Sequence, residues 1–555
     1  MNGDEIEILS KTDSLEDVFK ILHNFLINNE KILKFPMLSV NGNRIILWTA
    51  LFQHLQKTSF ESIHHLCLGA MRILSRDKEE LDKILCEKWI IILVEKSGLY
   101  NYVNLEEAST PIGAIPKKEI VIESLKALCN ISFNSEVARD TCANTSVDQA
   151  LIGRLRVFKD VPFKDEVMIY DMKLLFILTA LRDDVKRKVK YELHGLDYLL
   201  SGLNELLLEA SIDLPAPSSS SKKDDLVQGL RSWYLQDGQQ AIACEIFKVL
   251  FNLISYTPPH SMSDEEQEAI YLKLMPVLTS MLCAQTTNHI KLMDLRSNIA
   301  NLLTSVPSNF YSYLTLELTQ DEVCQYEYDG KNMDALQSLI EFLQFRLSNV
   351  SCIDQQFEQL SPIVSVMLKS ARACRSQRKY LRQIVLPPLR DVSTPPEKGD
   401  TLRNMLCKHL TTPVTKLRDL VAEFLFVLCK EKVGRMVKYT GFGNAAGHLA
   451  QQGLLGGARG AKYSSSSDDS DTEEYRLAEP HIDPVVGCTR PPRANPLEGM
   501  TDEQKEHEAM KLVNLFDKML SEGVVRPARI GPDGRPQPVE HVLELRDNAP
   551  NRPQS

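Results

Sequence analysis

At 555 residues, 43% of them hydrophobic, with a formal net charge of -10, the chain has ample apolar surface to fold but is too long for one compact core. The acidic balance argues against general binding to nucleic acid or anionic membranes, while leaving room for a local basic patch. No stretch approaches the roughly 18 uncharged apolar residues of a membrane span, and the acidic start MNGDEIEILSKTDS lacks the basic-then-apolar order of a secretion signal, so a cytoplasmic chain is expected.

In chain order, helical periodicity dominates. The pattern predicts helices at Leu15–Ile27, Ile45–Leu55, Ile63–Ser75, Lys117–Asn130 with a continuation to Asn134, Asp171–Arg182, Ala241–Ser255, Ile290–Thr304, Asp334–Arg346 and Thr415–Cys429. Ile246, Val249, Leu250 and Leu253 fall on one helical face, as do Val421, Phe424, Leu425 and Leu428. The run LLFILTAL at 174–181 is apolar all round, as in a helix wedged between neighbours. No convincing run of alternating strands is found. The 12 cysteines are spread through helical segments (Cys67, Cys129, Cys244 and Cys429 among them) with no CxxC pair, which reads as reduced, mostly buried small apolar residues. The sequons at Asn130, Asn144 and Asn349 are then chance matches.

A weak internal echo accompanies the periodicity. Asn130 in ALCNIS and Thr179 in FILTAL are as far apart as Asn252 in VLFNLI and Asn301 in IANLLT, with an insertion between the two pairs. The interval slightly exceeds the roughly 40–47 residues of armadillo and HEAT repeats. It favours a solenoid in which an inner-helix Asn bonds backbone groups of its neighbour or of a guest peptide. The breaks STPIGAIP at 109–116, PAPSSSSKKDD at 215–225, YTPPHSMS at 256–263 and LPPLRDVSTPPEKG at 386–399 fall where a solenoid places loops.

After residue 430 the character changes. GFGNAAG at 441–447 has G-x-G-x-x-x-G spacing, follows a helix and lacks a βαβ unit, so it reads as a flexible hinge continued by Gly453, Gly456, Gly457 and Gly460. SSSSDDSDTEE at 464–474 sets serines ahead of carboxylates, the pattern of an acidophilic-kinase substrate, and each phosphate would add about 1.5–2 negative charges able to dock on basic scaffold residues. The last element, 501–522, is a helix opened by a Thr501–Gln504 capping box and stopped at Gly523 and Pro527. Its apolar face, Leu512, Leu515, Phe516 and Met519, needs a partner: the solenoid itself, or another protein's groove. The expected organisation is a solenoid over 1–430, a glycine-rich hinge and phosphorylatable linker over 431–500, the helix, and a disordered tail over 523–555.

Signals of bond chemistry are poor. His64 and His65 beside Cys67 lack a second ligand cluster, and no G-x-S-x-G, P-loop or HExxH motif occurs. No catalytic residue, metal or cofactor is expected. Basic residues are more suggestive. Arg372, Arg375, Lys379 and Arg382, with Arg378 adjoining, make a positive stripe on one helix, and Arg72 and Arg76 a smaller one. Each is either a solvated face or, on a concave surface, a seat for a carboxylate-bearing peptide.

The strings LPPLRD, KYTGFGNAAG, SDTEEY and MTDEQKEHEAMKLV, together with MRILSRD, ALCNISFNS and LLFILTALRDDV, resemble the synembryn family, also called resistance to inhibitors of cholinesterase eight. The resemblance implies an all-α armadillo/HEAT superhelical solenoid with a flexible C-terminal arm carrying one helix. It also implies two activities toward G-protein α subunits, as a folding chaperone and as a receptor-independent guanine-nucleotide exchange factor, with GDP-bound, nucleotide-free or nascent Gα as partner. By motif, Arg72, Arg76 and Asn130 match trough residues that grip the Gα C-terminal helix, Arg378 and Lys379 a later basic pair, and Ser465 and Ser470 activating phosphosites. The choice among Ser464 to Ser466 stays open, because the serine run is one residue longer than the family's. The 501–522 helix would reach the Gα nucleotide-binding domain. A monomer is expected, recruited to membranes through Gα. The rival reading is an armadillo-type adaptor without exchange activity.

Overall fold

The computed structural model describes residues 3–103, 116–212, 233–256, 264–318, 324–350, 352–455, 471–490, 497 and 499–539. Helices dominate throughout. The described strands form four two-stranded pairs of two or three residues each, so no sheet-bearing core exists among them. No described helix is long and apolar enough to cross a membrane. The chain divides into two compact units, Met1–Leu314 with Leu318–Gln325, and Thr315–Glu317 with Tyr326–Ser555.

The first unit is a repeat stack. The helix His64–Leu74 packs on Lys118–Asn134, that on Lys164–Leu181, that on Asp237–Ile254, and that on His289–Thr304. This series of like contacts between successive repeats is the armadillo/HEAT arrangement expected from the periodicity. Leu125, Leu128 and Ile131, then Leu174, Leu175 and Leu178, then Ile246, Val249, Leu250 and Leu253, are all fully buried along the seam. Each such side chain contributes about 1.5–3 kcal/mol relative to exposure. The 174–181 run is wedged on several sides by the helices before and after it, though Leu181 emerges at its end.

Asparagines stitch neighbouring helices of the stack together. Asn130 Nδ2 donates to the Arg72 carbonyl (2.9 Å), Asn134 Nδ2 to that of Ser75 (2.8 Å), and Asn252 Nδ2 to the Phe176 carbonyl (3.2 Å) and Thr179 Oγ1 (3.1 Å). The Arg72 and Ser75 carbonyls lie at the end of their helix and lack an amide partner within it, whereas Phe176 sits inside Lys164–Leu181. The asparagine echo therefore has a physical basis at two of its positions; Asn301 offers its backbone carbonyl to Thr304 of its own helix.

In the second unit Ile353–Ala373 packs against Thr415–Leu428 and Arg375–Val385, and Asp334–Asn349 lies against Ile353–Ala373. Val421, Phe424, Leu425 and Leu428 are buried as their spacing predicts. Beyond them the structure departs from expectation. The supposed hinge is two helices, Val433–Thr440 and Phe442–Gln451, the second burying Ala445, His448 and Leu449. Gly441 is the kink between them, not the start of a flexible run. The supposed disordered tail forms, as far as Val539, a hairpin of Ala528–Ile530 with Pro536–Pro538. Residues 540–555 lie outside the described residues.

All the cysteines are free. Burial pushes the Cys67, Cys244 and Cys429 thiols up to about 12, which makes them inert apolar fillers. His64 is buried, its Nε2 bonded to the carbonyls of His54 and Lys57 (both 3.2 Å), and no group of side chains suited to a metal occurs among the described residues.

Candidate functional site: two clefts and an exposed helix

In the first unit an open cleft of about 540 Å³ runs between the Leu15–Asn29, His64–Leu74 and Lys118–Asn134 helices, with Ile27, Gly69, Arg72, Ile122, Glu123 and Lys126 on its walls. Arg72 is half-buried. Its Nε donates to Glu123 Oε2 at 2.8 Å, and the other Glu123 oxygen accepts from Lys126 Nζ at 2.7 Å. One carboxylate is thus shared by two cations, while Glu30, Glu119 and Lys118 also line the cleft, so its formal charges balance. An incoming carboxylate could compete for the guanidinium through its remaining N–H groups.

Arg76, one turn on, is differently employed. Its Nη1 donates to the Glu30 and Ile32 carbonyls, tying the loop before Phe35 to the stack. Burial and the neighbouring Arg72 charge both lower its pKa. Asn130, through its bond to the Arg72 carbonyl, fixes the end of the His64–Leu74 helix, which carries Arg72 and is followed by Arg76. The structure therefore brings Arg72, Arg76 and Asn130 into one corner and gives them different tasks.

In the second unit the basic stripe is not on one helix as expected: Arg372 ends Ile353–Ala373, and past a break at Cys374 the residues Arg375, Arg378, Lys379 and Arg382 lie on Arg375–Val385. A cleft of about 310 Å³ is walled by Tyr328, Arg378, Lys379, Arg382, Leu386 and Leu428 among others. Arg378 Nη1 donates to the Ala371 carbonyl (2.8 Å), which fixes its guanidinium at the start of the cleft. Tyr328 stands on a hairpin, Glu327–Tyr328 with Lys331–Asn332, turned by Asp329–Gly330 with both residues at positive φ. Its ring lies against Tyr380. Arg372, at the other end of the stripe, is spent on an ion pair with Glu423.

A further pocket of about 360 Å³ collects Arg382, Lys432, Arg435 and Lys438, with Asp471 and Thr472 at its edge. Lys438 pairs with Asp471 and lies 3.8 Å from the centre of the Tyr475 ring. Thr472 caps the helix Glu473–Ala478 by accepting from Tyr475 N. Ser465 and Ser470 lie outside the described residues; the acidic cluster is seen only from Asp471 onward. Sequence reasoning missed this pocket, although Lys432, Arg435 and Lys438 recur at three-residue intervals in KVGRMVK. It also missed the carboxylates that face the basic residues, Glu123 above all, and the exposed Phe133 on the inner helix Lys118–Asn134.

The last helix, Asp502–Ser521, carries the Thr501–Gln504 capping box: Gln504 N donates to Thr501 Oγ1 (3.3 Å) and Thr501 N to Gln504 Oε1 (3.0 Å). It buries no residue. Leu512 is 58% exposed and Phe516 49%; Leu515 is exposed as well, and only Met519 is partly covered. Its apolar face at helical spacing is therefore left in water.

A family model described as guanine nucleotide exchange factor synembryn, Ric8, matches residues 67–535. The zebrafish (Danio rerio) protein named Chaperone Ric-8A is 39% identical over 484 residues, covering 85% of this chain and 84% of its own. Chaperone Ric-8 of Drosophila pseudoobscura pseudoobscura is 36% identical over 578 residues, covering 97% and 96%. Among solved structures, an engineered protein aligns with a TM-score of 0.42 at 13% identity, over 81% of this chain and 94% of its own.

Proposed function

The chain belongs to the synembryn family of guanine nucleotide exchange factors, and from that premise we propose that it acts on G-protein α subunits as chaperone and exchange factor by gripping the Gα C-terminal helix. The observation that carries the reading is the family match itself. It runs from 67 to 535 and so takes in Arg72, Asn130, the Arg378–Lys379 pair and the Asp502–Ser521 helix.

In this mechanism each of the two clefts offers cations to the tail of Gα. Arg72 gives up part of its bond to Glu123 for a carboxylate of the guest, and Arg378 and Lys379 take a second acidic or carbonyl group. The exposed face Leu512, Leu515, Phe516 and Met519 covers the nucleotide-binding domain. The loop ahead of the Gα C-terminal helix holds the guanine, so drawing that helix away loosens the purine. The grip is made in full only with nucleotide-free Gα, and the equilibrium shifts toward GDP release. GTP closes Gα and ejects the scaffold. The same embrace shields an incompletely folded Gα. No residue breaks a bond, so the chain is not an enzyme, and it needs no cofactor. An acidophilic kinase acting on Ser465 and Ser470 would add negative charge to the acidic stretch that precedes Asp471, the partner of Lys438. The chain works as a cytoplasmic monomer, reaching membranes through Gα.

Purified Gα loaded with labelled GDP tests this. The chain should raise the release rate, and Arg72→Glu with Lys379→Glu should return it to the intrinsic rate of Gα while the circular dichroism stays helical. Exchange retained in the double variant would refute the assignment of the grip. No stimulation by the unaltered chain would leave the armadillo-type adaptor as the better reading.

A further inference from the structure

The helix Phe442–Gln451 receives the returning chain at both of its ends. At its N-terminus, Phe442 N and Gly443 N donate to the carbonyls of Pro484 and Val485 (both 2.8 Å), which belong to the turn of the Ile482–Asp483 and Cys488–Thr489 hairpin. These two amides are among the four that a helix start leaves without intrahelical partners. Thr489 N then donates to the Val392 carbonyl (2.8 Å), fixing the far strand. The approach is tight enough to require glycine. A Cβ on Gly441 would stand 2.9 Å from the Val486 carbonyl oxygen.

At the other end of the same helix, the tip of the last hairpin sits on Gly453–Leu455. Leu455 N donates to the Gly534 carbonyl (3.2 Å), and Leu454 and Val539 are buried. Val539 N closes the base of the hairpin on the Pro527 carbonyl (3.0 Å). A Cβ on Gly534 would lie 1.9 Å from the Gly453 carbonyl oxygen, so no other residue fits there without moving the backbone. The mount is ten residues long, roughly 15 Å. Between its two attachments the chain carries the Asp502–Ser521 helix with its apolar face exposed.

We propose that the Gly534–Gly453 contact is a clasp that closes the C-terminal arm on the Phe442–Gln451 helix, and that Gly534 and Val539 are positioning residues presenting the Asp502–Ser521 helix to Gα from two anchors instead of one. The positioning claim rests on the Gα reading above; the clasp itself does not. A helix held at both ends samples less space than one on a single tether, so its effective concentration at a bound partner is higher. Opening the clasp should weaken binding without altering the step that follows it.

Gly534→Val and, independently, Val539→Asp in the full chain should open the clasp, with Gly434→Ala, whose Cβ meets nothing within 4 Å, as control. Hydrogen exchange should show lost protection at Leu455 and over 528–539 in both variants, with 482–489 unchanged. Equal protection in variant and unaltered chain, or none in either, overturns the clasp. The concentration that half-saturates binding to nucleotide-free Gα should rise about 3- to 10-fold while the maximal GDP-release rate holds. An opened clasp with unchanged half-saturation overturns the positioning role. If the unaltered chain fails to bind Gα, the positioning role falls with the functional reading, and the exchange data still decide the clasp.

Discussion

The helix stack of the first unit and the C-terminal arm of the second are held by different kinds of contact. In the stack, buried leucines, isoleucines and valines form a continuous seam, and polar side chains such as Asn130 and Asn252 tie neighbouring helices together. In the arm, the decisive contacts are backbone to backbone, made possible by missing side chains at Gly441, Gly453 and Gly534. A side-chain seam spreads its stabilisation over many residues and is lost together. A backbone clasp depends on one or two close approaches and can open by itself. That difference suits a scaffold that must stay rigid while one surface helix is offered to a partner.

The sharpest break of this contrast lies in the stack. Arg154 and Asp171 are both fully buried, with Arg154 Nη1 3.2 Å from each Asp171 oxygen and Nη2 donating to the Ser97 carbonyl at 2.9 Å. Burial drives the Asp171 carboxyl upward, and the Arg154 charge opposes it. Arg154→Met leaves that carboxyl without its partner and should cost about 3–5 kcal/mol, read as a lower urea midpoint. Protection over 528–539 at low urea should not change. Adding Asp171→Leu removes the stranded group and should restore most of the loss. If the single variant loosens the arm as much as the stack, the two regions are not separately held.

Acid should act next, and on both units, since burial also holds His409 and His448 of the second below their ordinary value. His54 Nε2 bonds the Leu9 carbonyl (2.9 Å), pinning the Gly3–Lys11 helix, and both His54 and His64 leave Nδ1 buried without a partner. Burial holds both imidazoles below their ordinary value, with the Lys57 charge adding to it at His54 and that of Lys96 at His64; Asp13 and Glu61 pull weakly the other way. The sign follows. Above pH 6.5 both rings are neutral folded or unfolded, and nothing is lost. As pH falls below 6.5 the unfolded chain binds protons that the folded chain refuses, so stability drops toward the lower folded value. The urea midpoint should therefore decline between pH 7 and pH 5, by less than in Arg154→Met, and His54→Gln should flatten part of the slope. A flat midpoint over that range sinks the assignment.

The two regions were also unequally legible. The spacing of Ile246, Val249, Leu250 and Leu253 marks a buried face because a helix brings every third or fourth side chain to one side, whatever lies opposite. The asparagine echo was visible as a repeated interval, although only Asn130 and Asn252 of its asparagines bond a neighbouring helix through their side chains. GFGNAAG misled because glycine in sequence signals freedom, while in the fold Gly441 is needed for a distant carbonyl, that of Val486, to come close. Composition cannot report a contact between residues 45 positions apart. The same limit hid the hairpin at Ala528–Pro538, whose proline and arginine content reads as tail. At the candidate site the cations Arg72, Arg378 and Lys379 were legible as residues. Their carboxylate and carbonyl partners, Glu123 and Ala371, were not, since pairing is set by packing.

The smallest expected effect falls on the exposed helix, where the sequence was most explicit. Thr501 and Gln504 satisfy each other's backbone N–H groups, and Asp502 and Glu503 lie at the positive end of the helix. Yet Asp502–Ser521 buries nothing, so no tertiary packing supports it. Its helicity therefore rests on the cap, on Lys505–Asp502 and Lys511–Glu508 pairs of little individual strength, and on the two attachments beyond its ends. Thr501→Ala should cost roughly 1 kcal/mol of local helix stability. The global urea midpoint should not move, because the stack does not feel the helix. Hydrogen exchange over the first turns of 502–521 should rise about fivefold, the kinetic counterpart of that local cost. In a Gly534→Val background, where one attachment is gone, the same substitution should raise exchange further than the two separate effects combined. Strict additivity would mean that the cap and the clasp act on separate elements, and that the arm's end does not help to hold its helix.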